Sequence, residues 1–98
     1  MNPVRLRFYP DPESGEPHIL EHGVDEEEVE DVLQNPGEDR QGRGESRIVL
    51  GQTRDGRYLR VVYVRDPEPR SFFIVTAFEL DGKPLAAFKR RQRRRQRR

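Results

Sequence analysis

Apolar residues take every second position at the start of the chain. Val4, Leu6 and Phe8 alternate with Arg5, Arg7 and Tyr9, which is the period of a half-buried strand. Pro10, Asp11 and Pro12 end it, because proline withholds a ladder donor and aspartate favours turns. Ser14 to Gly23 predicts a short helix, with Pro17 near its start and Gly23 as a left-handed stop. A better-marked helix follows. Asp25 is a good N-cap, Glu28 stands three residues on as in a capping box, and acids crowd the first turn, where the helix dipole favours them. Val29, Val32 and Leu33 form its apolar stripe, and Asn35-Pro36-Gly37 stops it.

Glu38 to Glu45 is polar and contains glycine, and reads as a mobile loop. Three runs rich in β-branched and aromatic residues come next, Arg47 to Thr53, Tyr58 to Arg65 and Ser71 to Leu80. Asp55-Gly56 signals a hairpin, and Asp66-Pro67-Glu68-Pro69 makes a stiffer connection, so these runs predict an antiparallel meander. In Val61 to Val64 and Phe72 to Phe78 apolar residues occupy both parities, which requires cover on two faces. The helices can cover one. The other is covered by the C-terminal segment or offered to a partner. Asp81-Gly82 turns the chain, and Pro84 to Phe88 begins a helix running into an arginine stretch whose end is expected to be disordered in isolation.

Composition sharpens this picture. The 98 residues leave room for one domain, and with 32% hydrophobic against 38% charged the core must come from a few clusters, around Val4, Val29, Ile48, Val61 and Ile74. The absence of cysteine excludes disulfides and thiolate metal sites and permits a reducing compartment. Neither a signal-peptide-length apolar stretch at the start nor one of about 20 residues elsewhere is present, so a soluble, cytoplasmic protein without membrane association is expected. The net charge of +1 hides a split: residues 89–98 carry eight basic groups and no acid, leaving 11 basic and 18 acidic groups before them. The expected organisation is a domain over residues 1–88 and an arginine-rich tail over 89–98.

His22-Gly23-Val24 followed by Asp25 to Leu33 and Asn35-Pro36, the later run Gly56 to Tyr63, and Ile74 to Phe78 resemble BrnT-like toxins of the wider RelE/ParE superfamily, and a related family of small toxin-like proteins. The resemblance spans about residues 18 to 90. It implies an α+β fold with one or two N-terminal helices packed on a twisted antiparallel sheet of three to four strands, ending in a basic C-terminal helix or tail. It also implies a toxin of a type II toxin–antitoxin pair, a ribonuclease that needs no metal or other cofactor, acts on RNA or the ribosome, and is neutralised by a small antitoxin protein. The alternative is a non-catalytic RNA-binding or protein-interaction module of the same fold.

Metal-independent cleavage requires a base for the ribose 2′-hydroxyl, cations for the pentavalent phosphate and a proton donor for the departing 5′-oxygen. The candidate cations are Arg57 and Arg60, because arginine's planar fork suits phosphate oxygens; Arg43 and Arg47, near the preceding strand, could reach the same surface. The bland reading makes all four the solvated side of a sheet. His18 and His22, four apart, would share a helix face, and His22 is the candidate proton carrier, since histidine titrates closest to neutrality. Against this, a histidine before Gly23 commonly caps helix carbonyls, and no third metal ligand is evident beside the pair. Where relatives often place a tyrosine or histidine near the chain's end, this chain has Phe88, which exchanges no proton; Tyr58 and Tyr63 remain as phenols on a strand that normally lies in the core. Lys89, Arg90, Arg91, Arg93 and Arg94 form a nucleic-acid anchor without interleaved aromatics, hence without base preference. The same basic run could also dock on the acidic helix Asp25 to Asp31 of a second copy, giving a homodimer.

Overall fold

The computed structural model describes residues 5–96, so Val4, expected in the core, lies outside the described residues, as do Arg97 and Arg98. The elements are β1 (Arg5–Phe8), a 3₁₀ helix (His18–His22), α1 (Glu26–Gln34), β2 (Glu38–Gln41), β3 (Ser46–Gln52), β4 (Tyr58–Arg65), β5 (Ser71–Glu79) and α2 (Gly82–Gln96). Among the described residues the strands form one five-stranded sheet, in the order β1-β5-β4-β3-β2.

This corrects the expected fold. The sheet has five strands rather than three to four, and it is mixed: β1 runs parallel to β5, while the remaining pairs are antiparallel. The first N-terminal helix is a five-residue 3₁₀ turn, so the sheet dominates the architecture. The stretch Glu38 to Glu45, expected as a mobile loop, contains β2, which pairs antiparallel with β3 from Glu38↔Leu50 to Gln41↔Arg47. An edge strand needs only one hydrogen-bonded neighbour, so Glu38-Asp39-Arg40-Gln41 can pair without any apolar alternation to announce it.

Local chemistry explains the elements that position the surface. In α1 the capping box forms as expected: Asp25 Oδ1 accepts from the Glu28 N–H at 2.9 Å and Glu28 Oε1 accepts from the Asp25 N–H at 3.1 Å. Val29 and Val32 are fully buried and press α1 onto the sheet. The 3₁₀ helix ends at Gly23 with φ 71°, a left-handed conformation in which glycine has no Cβ to clash.

Described buried apolar residues fall into two clusters. The larger joins Ile19, Val24, Val29 and Val32 to Val49, Leu59, Val61, Tyr63, Ile74 and Ala77 on one face of the sheet. The smaller, Leu50, Leu80 and Phe88 with Ile48, Tyr58 and Leu85 packed against it, lies on the opposite face beneath α2. The C-terminal helix is therefore what covers the second face, and Phe88, 3% exposed, is its anchor. Cover is partial: Val62, Val64 and Thr76, whose side chains alternate away from the larger cluster, stay half-buried. No described helix is long and apolar enough to cross a membrane.

Candidate functional site

The 3₁₀ geometry eclipses side chains three apart, and this sets the first contact of the histidine pair. His18 Nδ1 lies 2.8 Å from Glu21 Oε2, and His18 Nε2 lies 3.3 Å from His22 Nε2, the two rings standing 5.0 Å apart and nearly perpendicular. Ile19, 1% exposed, pins this turn to the core, so the histidines are held at the surface by a buried neighbour. Glu21 accepts from His18 when the proton is on Nδ1, and a proton on either Nε2 can bridge the two rings.

A ladder of rings and cations continues from the pair in both directions. The His22 ring is 6.1 Å from Phe78, over which the Arg60 guanidinium sits at 5.9 Å. On the other side Tyr9 lies 6.1 Å from His18 and 6.4 Å from Phe73, and Arg7 sits 5.0 Å over Phe73. Arg60 and Phe78 are register partners on β4 and β5, which puts both on the face that α2 leaves partly open. The sequence points to His22 and Arg60, but Tyr9, Phe73 and Phe78 escape it, since alternation alone makes them ordinary strand residues.

Arg57 behaves differently. Its Nη1 donates to both Glu28 oxygens at 2.8 and 2.9 Å and to the Gly23 carbonyl at 2.8 Å, and its Nη2 lies 3.4 Å from Glu79 Oε1. These contacts join the β3–β4 hairpin to the N-terminus of α1 and the end of β5. The hydrogen bonds and charge of Glu28, then the charge of Glu79, push the Arg57 pKa up. The expected joint grip of Arg57 and Arg60 on one phosphate is thus corrected: Arg57 faces the helix-covered side in a carboxylate cage, and Arg60 faces the other.

Arg47 is also engaged within the chain. It donates from Nε to Asp39 Oδ1 at 2.8 Å, and the Tyr63 hydroxyl donates to Asp39 Oδ2 at 3.2 Å. Burial first, and the Asp39 charge second, push the Tyr63 phenol up, so it is a core group and not an available acid. Arg43 is exposed in the turn after β2. Both arginines belong to the β2–β3 edge, separated from β5 by β4, and neither joins Arg60.

The third feature is α2, which carries the arginine run through Gln96 as a helix and sorts it by the four-residue spacing of one face. One row is anchored. Arg91 forms a fork with Glu38, including Nη2 to Oε1 at 2.9 Å, and Arg95 and Gln92 donate to the Gly37 carbonyl at 2.9 and 3.2 Å. The Arg91 bond holds the Glu38 carboxyl below its ordinary range. A second row, Lys89 and Arg93, runs along the side of the helix that faces the β3–β4 turn, with the Lys89 ammonium 4.9 Å over the Tyr58 ring. A third, Arg90 and Arg94, is exposed. Among the described residues Arg90, Arg93 and Arg94 take part in no salt bridge, whereas Arg91 binds β2 of its own chain and not the acidic helix.

A divalent metal would find one set of donors among the described residues, Asp11, His18 and Glu21, whose ligand atoms lie within 4.8 Å of one another. The sequence pairs His18 with His22, which is not in this set; Asp11 and Glu21 escape it, and Asp11 is brought there by the Pro10↔Pro17 bridge. Asp11 already accepts from the N–H groups of Ser14 and Glu13, which hold its carboxyl below the ordinary range.

Residues 18–79 match the model of a family described as Domain of unknown function (DUF4258). The match runs from the 3₁₀ helix to the end of β5 and so contains His18, His22, Arg57 and Arg60, and α2 lies beyond it. No curated protein and no solved structure matches the chain.

Proposed function

We propose a function for a chain that belongs to the DUF4258 family: it acts on RNA in the cytoplasm as a metal-independent endoribonuclease, the toxin of a toxin–antitoxin pair. The observation that carries this reading is the His18–His22 pair, backed by Glu21, lying across the Phe78 ring from the Arg60 guanidinium on an open face. Cleavage requires a base and an acid, and one imidazole beside one imidazolium would supply them. The neutral ring takes the proton of the ribose 2′-hydroxyl, and the 2′-oxygen forms its bond to phosphorus. The bond from phosphorus to the 5′-oxygen breaks, and that oxygen receives the proton of the imidazolium. Arg60 holds the non-bridging oxygens, where charge accumulates. Phe78, between the two, offers a face for an unstacked base.

Arg57 is a positioning residue in this scheme. By bonding the Gly23 carbonyl it fixes the end of the turn that carries His22. A small antitoxin would silence the site by covering the open face around Val62, Val64 and Thr76.

The test is cleavage of single-stranded RNA in excess chelator. His22→Ala and Arg60→Ala should each slow it by about 10²–10⁴-fold while melting like the wild type. Undiminished cleavage by either folded variant removes that residue from the chemistry. The exposed arginine row of α2 favours one other reading, a binding module without cleavage. That reading predicts salt-dependent RNA binding lost on removal of residues 89–98, with the RNA left intact.

A further inference from the structure

A cleft of about 900 Å³, at the upper end of the usual size for small-molecule sites, lies between α2 and the ends of α1 and the β3–β4 hairpin. Its walls differ in chemistry. The α2 wall presents Lys89 and Arg93, one helical turn apart, with Gln92 and Gln96 beside them. The opposite wall is lined by Asn35, by Gln34 and Gln52, whose Nε2 groups donate to Glu30 and to the Gly56 carbonyl and whose amide oxygens remain as acceptors, and by the Asp31–Arg54 ion pair at 3.2 Å. Tyr58 and Phe88, their rings 6.1 Å apart, contribute aromatic carbon between the walls.

Charge decides which part of a ligand faces which wall. Carbonyls at the C-terminal end of α1 repel an anion and Asp31 is already paired with Arg54, while Lys89 and Arg93, without a carboxylate partner among the described residues, attract one. An occupant must therefore be anionic at one end, carry hydrogen-bonding groups and ring surface at the other, and fit 900 Å³. We propose that this cleft binds a nucleotide, its phosphate on Lys89 and Arg93 and its base and ribose against Asn35, Gln34 and Gln52. Tyr58 neighbours Arg60 along one face of β4, so a strand leaving Arg60 can reach the cleft within a few nucleotides. The nucleotide site stands on the cleft alone. That the nucleotide belongs to an RNA strand rests on the RNA reading above.

Nuclear magnetic resonance titration of the full chain with adenosine 5′-monophosphate, adenosine and hexauridylate tests this. Adenosine 5′-monophosphate should shift the amides of Asn35, Gly51, Gln52 and Lys89, and adenosine should bind more weakly. The Lys89→Gln/Arg93→Gln double variant should lose roughly tenfold to a hundredfold in mononucleotide affinity. Arg90→Gln/Arg94→Gln, the same charge change in the outer row, should leave that affinity unchanged. Equal loss in the two double variants, or shifts outside the cleft, overturns the site. If hexauridylate displaces the mononucleotide and its salt slope falls by about 1.4 in the Lys89/Arg93 variant, the source is a strand. If the mononucleotide binds in the cleft and hexauridylate does not, the source is a free nucleotide, and the RNA reading fails while the site stands. Cleavage that persists with an empty cleft sinks the site alone.

Discussion

Arg57 and Arg60 are separated by two residues in sequence and by a sheet in space. Residue type marks both as phosphate ligands, but partners decide their roles, and these come from Glu28, 29 residues earlier, and Glu79, 22 later. The contrast is measurable. Arg57→Ala leaves the Gly23 carbonyl without its side-chain donor and Glu28 with only the Asp25 N–H, and should cost about 1–3 kcal/mol in urea unfolding. The half-exposed Arg60 should change stability by no more than about 0.5 kcal/mol on the same substitution, and lose cleavage instead. A destabilised Arg60→Ala with normal cleavage would reverse the two assignments. Asp66 makes a pH prediction at this scale. Bonds from Arg7, then Ser71, hold its carboxyl at about 2 against an ordinary 3.8. A depressed carboxyl contributes stability that is complete above the unfolded value and disappears as pH falls through the folded one. Asp66→Asn should therefore melt below the wild type at pH 6, with the gap closing between pH 4 and pH 2; a constant gap contradicts the linkage. None of these partners could be read from the sequence, because each is a long-range pairing between residues of ordinary local type.

At the scale of elements, periodicity and caps were legible and edges were not. α1 was readable because Asp25, Glu28 and the valine stripe all agree. β3, β4 and β5 were readable because a central strand needs β-branched residues at both parities. β2 was invisible, since its four polar residues owe their conformation to pairing with β3 and to distant partners such as Arg91 and Tyr63, and to no local pattern. In α2 the arginine run offered charge but no periodicity, and its three rows became distinct only once Phe88 fixed the helix's rotation. That anchor depends on Gly37, where a Cβ would come within 2.6 Å of the Phe88 ring. Gly37→Ala should cost about 1–3 kcal/mol by overpacking and speed amide hydrogen exchange in α2 before the rest of the chain. Uniform acceleration across the sheet would show that α2 is not the element affected.

For the whole molecule, the order of strands is the decisive fact, and hydrophobic alternation carries no information about it. Val4, Leu6 and Phe8 announce a strand, yet nothing in them says that β1 lies beside β5 and parallel to it. That placement leaves the upper part of β5 to the 3₁₀ turn and so brings His22 against Phe78. Charge separation across the chain, by contrast, was legible from the count alone. It divides the labour: the acidic half holds the fold through Glu28, Glu38 and Asp39, and the free rows of α2 face solvent or the cleft. RNA affinity should accordingly fall steeply with salt and be lost on truncation after Phe88, while His22→Ala leaves it unchanged.

Identifying the ends left on cut RNA addresses the chemistry at His18, His22 and Arg60 most directly. Attack by the ribose 2′-oxygen predicts 2′,3′-cyclic phosphate and 5′-hydroxyl ends in excess chelator, absent with folded His22→Ala. Ends bearing 3′-hydroxyl and 5′-phosphate, or cyclic phosphate formed at an undiminished rate by that variant, would contradict it.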